Sequence, residues 1–199
     1  GASLCNRKAI GIDLSAEYIS AYKKATKALN LVEQKTLQAD SVNFLKKTSE
    51  FSKFLNDEEI DLILIDPPYG DMMAREKTGE AAKNKKSSEA TPFTNMEVDL
   101  GNMEWNKFRE VFKDTIQNAS KNLKDKGHIV IFIKDLQPKN GDPNLLHADL
   151  IKDINNVDEI NYLGTKIWGD LSVNLYPYGY PHSYVSNQIH QYILIFRKG

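Results

Sequence analysis

The nine residues Asp61–Tyr69, DLILIDPPY, decide the fold of this 199-residue chain. Leu62–Ile65 form a short apolar run, which is typical of a β-strand buried on both faces. Pro67 and Pro68 lack the backbone N–H that a strand ladder needs, so the strand ends at Asp66. The stretch therefore predicts a buried strand with a carboxylate and a stiff turn at its carboxyl end.

Strands alternate with helices on both sides of this stretch. The predicted strands are Lys8–Leu14, Val32–Ala39, Asp61–Asp66 and Ile129–Ile133, and the predicted helices are Ala16–Leu29, Ser41–Phe54, Glu104–Leu123 and Asn144–Ile154. Lys126-Gly127 is expected to end the third helix. Asp158–Trp168 and Ile189–Arg197 are expected to form a closing antiparallel pair. This order predicts an α/β fold with a mostly parallel sheet and helices on both faces.

Three aspartates follow three successive predicted strands: Asp13, Asp40 and Asp66. In open parallel sheets ligands bind beyond the carboxyl ends of the strands, so these side chains are candidate ligand-binding groups. A local alternative stays open for two of them. Asp13 or Ser15 can cap the helix that begins at Ala16, and Asp40 can cap the helix that begins at Ser41.

Two segments interrupt the pattern. Residues 70–100 form a long, polar loop at the expected active-site edge, in which basic and acidic residues nearly balance. Such a loop either contacts phosphates or is simply solvated. The second segment, Tyr176–Tyr184, is rich in Tyr and Pro, and it either offers a stacking surface for bases or packs as a hairpin loop.

Composition excludes several classes of protein. Lys and Arg number 26 against 27 Asp and Glu, so the chain lacks the basic excess of a domain that binds nucleic acid by phosphate contacts alone. One cysteine excludes an internal disulfide framework and a cysteine-rich zinc site. The four histidines show no metal-ligand spacing, and no run is long enough for a membrane helix. We therefore expect a cytoplasmic protein without a metal.

The Asp66-Pro67-Pro68-Tyr69 motif resembles that of amino-methyltransferases, which use S-adenosylmethionine (AdoMet) to methylate the exocyclic amine of a base. Such an amine is a poor nucleophile because its lone pair is delocalised into the ring. The resemblance implies that the Asp66 carboxylate and the Pro67 carbonyl accept its two hydrogens, while Pro68 stiffens the turn. Tyr69 would stack on a flipped base. The plain alternative is a proline-rich turn with a packing tyrosine.

Further segments resemble the DNA N6-adenine and N4-cytosine branch of this family. They are Arg7–Ile19, Leu123–Lys134 and His190–Lys198, in which Gln191 stands where Glu is commoner, and Trp168 matches a frequent Trp. The resemblance implies a Rossmann-like class I methyltransferase fold. It also implies that Asp13 binds the ribose of AdoMet and Asp40 its adenine amine, with Leu14 and Ser41 beside them as further cofactor-binding residues.

A glycine-rich loop that the family's pattern places before the first of these segments is not found in the given residues. The resemblance implies a Phe-x-Gly-x-Gly loop, which approaches the methionine part of AdoMet, just upstream of Arg7. The given residues before Arg7 do not contain it. We therefore expect residues 1–199 to be a single catalytic domain that is incomplete at its N-terminus.

The predicted function is AdoMet-dependent methylation of DNA, with adenine N6 favoured because the motif begins with Asp. The implied partners are DNA with a flipped base and a restriction or specificity subunit, as in restriction–modification systems. Two alternatives stay open. One is a guanine-N2 methyltransferase of tRNA, and the other is a non-catalytic module that retains the methyltransferase fold.

Overall fold

The computed structural model describes residues 1–71, 92–135, 145–172 and 188–199. These residues form six strands: β1 (Ile10–Asp13), β2 (Lys35–Gln38), β3 (Ile60–Ile65), β4 (Leu123–Ile133), β5 (Ile160–Gly169) and β6 (His190–Lys198). They also form five α-helices: α1 (Ala16–Ala28), α2 (Ser41–Lys46), α3 (Thr48–Phe54), α4 (Trp105–Ser120) and α5 (Leu146–Ile154). Within the described ranges, none of these helices has the length and apolar character needed to cross a membrane.

The strands form two sheets. β1 pairs in parallel with β2, and the larger sheet has the order β3-β4-β6-β5. β3 and β4 are parallel, whereas β6 lies antiparallel between β4 and β5. Strands β3, β4 and β5 therefore run in one direction and only β6 is reversed. This confirms the prediction of an α/β fold whose closing strand is antiparallel.

The two sheets meet at a shared helical layer. Ile12 of β1 and Ile63 of β3 pack against the same buried cluster, which contains Leu45, Phe51 and Ala119. At the other end of the strands, Lys8 forms an exposed ion pair of 3.1 Å with Glu58. Among the described residues, no backbone ladder joins β1 to β3.

The main core lies between the larger sheet and helices α4 and α5. Phe108 and Ile116 of α4, Leu150 of α5 and Ile131 of β4 are fully buried in it. Arg109 of α4 ties the two helices together through a pair of bonds to Asp153 of α5. On the opposite face of the sheet, Leu62 (49%), Leu64 (63%) and Trp168 (59%) are among the exposed side chains.

Two of the predicted boundaries are wrong. The helix predicted over Ser41–Phe54 is broken at Lys47, whose ψ of 69° separates α2 from α3. The helix predicted over Glu104–Leu123 ends at Ser120, so Lys126-Gly127 does not terminate it. β4 begins at Leu123 because this segment already pairs with Ile60, and an irregularity with Lys126 at φ 64° follows.

Some predictions fall outside the described residues. They concern the lysines of the 70–100 loop, the turn at 140–143 and the Tyr- and Pro-rich segment at 176–184.

Candidate active site

A cavity of about 450 Å³ lies at the carboxyl ends of β1, β2 and β3. This volume is in the range of small-molecule sites, roughly 300–1,000 Å³. All eight residues proposed from the sequence line it: Asp13, Leu14, Asp40, Ser41, Asp66, Pro67, Pro68 and Tyr69. Residues from three strand ends, distant in the sequence, are therefore brought together in one place.

Asp13 ends β1 and keeps part of its carboxylate available. Its Oδ1 accepts a hydrogen bond of 2.7 Å from the backbone N–H of Ser15. Ser15, not Asp13, caps α1, since its hydroxyl oxygen accepts from the backbone N–H of Tyr18 at 3.3 Å. A carboxylate has about four lone-pair sites, so Asp13 can accept further bonds from a ligand in the cavity.

Asp40 caps α2, as the local alternative predicted. Its Oδ1 accepts from the backbone N–H groups of Val42 at 3.0 Å and Asn43 at 3.4 Å. Its Oδ2 accepts from the side-chain amide of Asn43 at 2.5 Å. Capping and ligand binding do not exclude each other, because a carboxylate oxygen can accept two hydrogen bonds.

Asp66 and Tyr69 form the centre of the tetrapeptide. The Tyr69 hydroxyl donates to Asp66 Oδ1 over 3.4 Å, and it accepts from the Gln191 side-chain amide over 3.2 Å. Desolvation raises the pKa of Asp66 above its ordinary value, and the bond from Tyr69 opposes this shift. Desolvation, together with the nearby Asp66 charge, raises the pKa of Tyr69 to about 12. Tyr69 therefore stays protonated at neutral pH and acts as a donor toward Asp66.

Two glycines let the chain fold closely around this tetrapeptide. Gly70 has φ +60°, and a Cβ there would lie 3.1 Å from the Met103 carbonyl oxygen. A Cβ at Gly101 would lie 3.2 Å from Pro68 Cβ. The short 3-10 turn at Leu100–Asn102 therefore packs closely against Pro68. Pro67 is buried, while Tyr69 is half-buried and keeps part of its ring accessible.

One side of the cavity consists of residues that the sequence did not single out. Tyr18 of α1 and Phe93 form an edge-to-face pair with ring centroids 6.3 Å apart, and both line the cavity. Four further residues from the segment before α4 complete this side: Thr94, Val98, Asp99 and Leu100. Tyr18 looked like an ordinary apolar position of a helix. Phe93 gave no signal because it lies in a segment without periodicity.

The cavity is strongly acidic. Asp13, Asp40, Asp66 and Asp99 line it, and none of its described lining residues is Lys, Arg or His. Four carboxylates around one space favour a cationic ligand and disfavour phosphate groups inside it.

The remaining titratable groups do not form a metal centre in the part of the chain that the structure describes. His147 Nδ1 lies 2.7 Å from Asp135 Oδ2, and the His147 ring stacks on Tyr192 with centroids 3.9 Å apart. This pair joins α5 to the end of β4. It consists of one histidine and one carboxylate, which is fewer ligands than a protein metal site supplies.

Solved structures with the same fold come from several organisms. TrmN from Thermus thermophilus has a TM-score of 0.53 and 13% identity, over 97% of this chain and 37% of that chain. A candidate rRNA methylase from Clostridium thermocellum has a TM-score of 0.50 and 13% identity, over 98% of this chain and 76% of that one. These likenesses show the Rossmann-like fold of class I methyltransferases, which confirms the predicted fold class.

A candidate DNA modification methylase, also from Thermus thermophilus, has a TM-score of 0.49 and 14% identity, over 96% of this chain and 53% of that chain. The chain thus spans about half of that protein and a smaller share of TrmN. No curated protein matches the sequence significantly. The family described as DNA methylase (N6_N4_Mtase) matches residues 60–199, which is most of the chain and includes the Asp66–Tyr69 motif. By this match, the chain belongs to the N6/N4 DNA methylase family.

Proposed function

We propose that this protein transfers a methyl group from AdoMet to the exocyclic amine of a base in DNA, most favourably N6 of adenine. One observation carries the proposal. The Asp66–Tyr69 tetrapeptide shares a single cavity with Asp13 and Asp40, so the groups that hold a donor and an acceptor face one space. Asp at the first motif position is the reason for preferring adenine.

The acidic cavity suits AdoMet, which the family uses as its methyl donor. AdoMet has a sulfonium and an ammonium cation but only one carboxylate, so four surrounding aspartates favour its binding. Asp13 is proposed to hold the ribose and Asp40 the adenine, with Leu14 and Ser41 as further cofactor-binding residues beside them. Tyr18 and Phe93 add apolar ring surface against which a nucleoside can pack. When bound, AdoMet supplies a methyl group that is already activated by the positive sulfur.

The tetrapeptide is proposed to prepare the target amine. Asp66 accepts one amine hydrogen and the Pro67 carbonyl accepts the other, which favours a tetrahedral nitrogen and localises its lone pair. Pro67 and Pro68 bring no N–H donors that would compete for these acceptors. The half-buried ring of Tyr69 holds the base in plane by stacking.

Asp66 is also proposed to receive the surplus proton. Formation of the bond from nitrogen to the methyl carbon would break the bond from that carbon to sulfur, which would leave as a neutral thioether, and the nitrogen would then bear one hydrogen too many and have to lose a proton. A carboxylate whose pKa is raised by desolvation binds a proton more readily than an ordinary aspartate. The partly exposed position of Asp66 then allows that proton to pass to water.

RNA is the second candidate substrate. One structure that shares the fold is described as a candidate rRNA methylase, and guanine N2 is an exocyclic amine as well. The match to the DNA methylase family and the His190–Lys198 segment favour DNA. Neither feature supplies sequence recognition, which we assign to loops, to further sequence or to a specificity or restriction subunit.

The test offers the full-length protein labelled AdoMet together with unmethylated bacterial DNA and unmodified tRNA. The nucleic acids are separated, digested to nucleosides and analysed by mass spectrometry. Label on deoxyadenosine supports the proposal as stated, and label on deoxycytidine changes the base. Label on guanosine moves the protein to the RNA candidate. If no nucleoside carries label and the protein does not bind AdoMet, the non-catalytic module becomes the better conclusion.

A further inference from the structure

The hydroxyl of Tyr69 lies between two side chains that are far apart in the sequence. It is 3.4 Å from Asp66 Oδ1 and 3.2 Å from Gln191 Nε2. Gln191 is the second residue of β6, where its backbone pairs with Trp168 of β5. The sheet therefore fixes the position of Gln191, and the half-buried side chain extends to the turn that follows β3.

The polarity of this chain of hydrogen bonds follows from what each group can do. The Tyr69 hydroxyl has a single proton, and an ionised Asp66 can only accept. If Gln191 presented its oxygen to Tyr69, two acceptors would compete for that proton. With the Gln191 amide N–H directed at the Tyr69 oxygen, both contacts are hydrogen bonds, and the Tyr69 proton is directed to Asp66.

We propose that Gln191 is a positioning residue for methyl transfer, which orients the Tyr69 hydroxyl toward Asp66 and thereby fixes both the Asp66 carboxylate and the Tyr69 ring. The inference rests on the proposed function, because it concerns the same tetrapeptide. The bond from the Tyr69 hydroxyl occupies Asp66 Oδ1, which leaves Oδ2 to accept a hydrogen from the target amine. A ring held at its hydroxyl end also has a defined plane on which the base stacks.

The side-chain amide of Gln191 supplies the N–H donor that this arrangement needs. An ionised carboxylate in its place would have no hydrogen to donate to Tyr69. In this protein the amide therefore polarises the network from β6 toward Asp66. The expected contribution is that of one neutral hydrogen bond, which corresponds to about fivefold to tenfold in rate.

A double-mutant cycle with Gln191→Met and Tyr69→Phe tests the inference on the full-length protein. Gln191→Met preserves the length of the side chain and removes its donor. We expect kcat to fall about fivefold to tenfold while the KM values for AdoMet and DNA stay unchanged. Since Gln191 acts through the Tyr69 hydroxyl, the double variant should be no slower than Tyr69→Phe alone. Unchanged kcat in Gln191→Met, or losses that multiply in the double variant, would overturn the inference.

Gln188→Met is the matched control, because Gln188 precedes the same strand and contacts His190 instead of Tyr69. It should leave kcat unchanged. A second readout does not need turnover: the 13Cζ signal of Tyr69, assigned with Tyr69→Phe, should shift in Gln191→Met and stay in place in Gln188→Met. If the wild type methylates no base, the proposed function fails. The carbon signal then decides alone whether Gln191 holds the hydroxyl, and an unmoved signal rejects that role.

Discussion

The backbone N–H of Ala39 donates a hydrogen bond of 3.0 Å to the carbonyl oxygen of Asp13. This bond extends the parallel ladder of β1 and β2 one step beyond the strands, which end at Asp13 and Gln38. The position of Asp13 is thereby fixed relative to Asp40, the residue that follows Ala39. The two carboxylates proposed to bind the ribose and the adenine of AdoMet thus lie on one rigid edge.

Asp13→Asn should weaken AdoMet binding. The amide oxygen of Asn can still accept from the N–H of Ser15, so the local turn is kept and only the charge is lost. Hydrogen bonds to charged groups contribute about 1.5–3 kcal/mol, so we expect the dissociation constant to rise about 10-fold to 150-fold by calorimetry. Asp57→Asn is the control, since Asp57 bonds Ser52 and does not line the cavity. An unchanged affinity in Asp13→Asn would limit Asp13 to its local turn.

Asp40→Ser should separate capping from ligand binding. Serine caps a helix about as well as aspartate, so the free energy of unfolding should change by less than about 0.5 kcal/mol. Loss of the carboxylate should still weaken AdoMet binding severalfold in the same calorimetric titration. Asp40→Ala is the comparison variant, and it should in addition lower stability by about 1 kcal/mol through loss of the cap on α2. Wild-type affinity in both variants would leave Asp40 as a cap alone.

Asp66→Asn should remove methyl transfer and leave the fold intact. The Asn oxygen can still accept from Tyr69, but an amide neither polarises the target amine as a carboxylate does nor takes up its proton. By analogy with other preorganised electrostatic groups, kcat should fall about 10²-fold to 10³-fold or more. The AdoMet dissociation constant and the unfolding midpoint serve as controls. Turnover near the wild-type rate would reject the assignment of Asp66.

The pH dependence of transfer should reflect the raised pKa of Asp66. Transfer needs the ionised carboxylate, so kcat/KM should fall as the pH drops through a value above the ordinary 3.8 of an aspartate. Tyr69→Phe removes the bond that opposes the upward shift, and it should move this acid limb to higher pH. Tyr162→Phe, which loses a hydroxyl bonded to Thr165, is the control. If the acid limb of the pH profile does not move in Tyr69→Phe, that limb does not report the ionisation of Asp66.

The raised pKa of Asp66 also makes the stability of the folded protein depend on pH. An acid whose pKa is raised in the folded state stabilises that state below its unfolded pKa, and this contribution is lost as the pH rises through the folded pKa. Asp66→Asn should therefore not lower stability at neutral pH. Denaturant unfolding of the wild type and Asp66→Asn, at several pH values between acid and neutral, measures the difference.

Asp153→Ala should destabilise the fold without changing the site. Arg109 donates to Asp153 through Nε at 2.6 Å and Nη2 at 2.9 Å, and both side chains are at most 25% exposed. Loss of this bidentate contact should lower the free energy of unfolding by about 1.5–3 kcal/mol. Glu110→Ala breaks the exposed pair with Lys107 on the same helix, and it should change stability by less than about 0.5 kcal/mol. Equal effects of the two variants would contradict this difference.

Local chemistry made much of the fold and site predictable. The apolar run Leu62–Ile65 and the prolines after it locate β3 and its end from neighbouring residues alone. Asp13, Asp40 and Asp66 each follow the carboxyl end of a strand, and the structure brings all three to one cavity although β1 and β2 form a sheet separate from that of β3. Their roles in binding and catalysis stay predictions.

Tertiary contacts decided what the sequence could not. β4 begins early because Ile60 donates to the Asn122 carbonyl oxygen at 2.8 Å, which is a contact between segments far apart in the chain. Phe93 reaches the cavity by packing on Tyr18. Gln191 reaches Tyr69 across 122 positions. No local pattern encodes such distances.

The cavity is divided between the two sheets. Asp13 and Asp40 belong to the ends of β1 and β2, whereas Asp66 and Tyr69 follow β3, and within the described residues no ladder joins these halves. A ligand that contacts both halves adds its binding free energy to whatever resists their separation. A methyl donor that contacted Asp13 or Asp40 on one side and Asp66 or Tyr69 on the other would therefore hold the two sheets together.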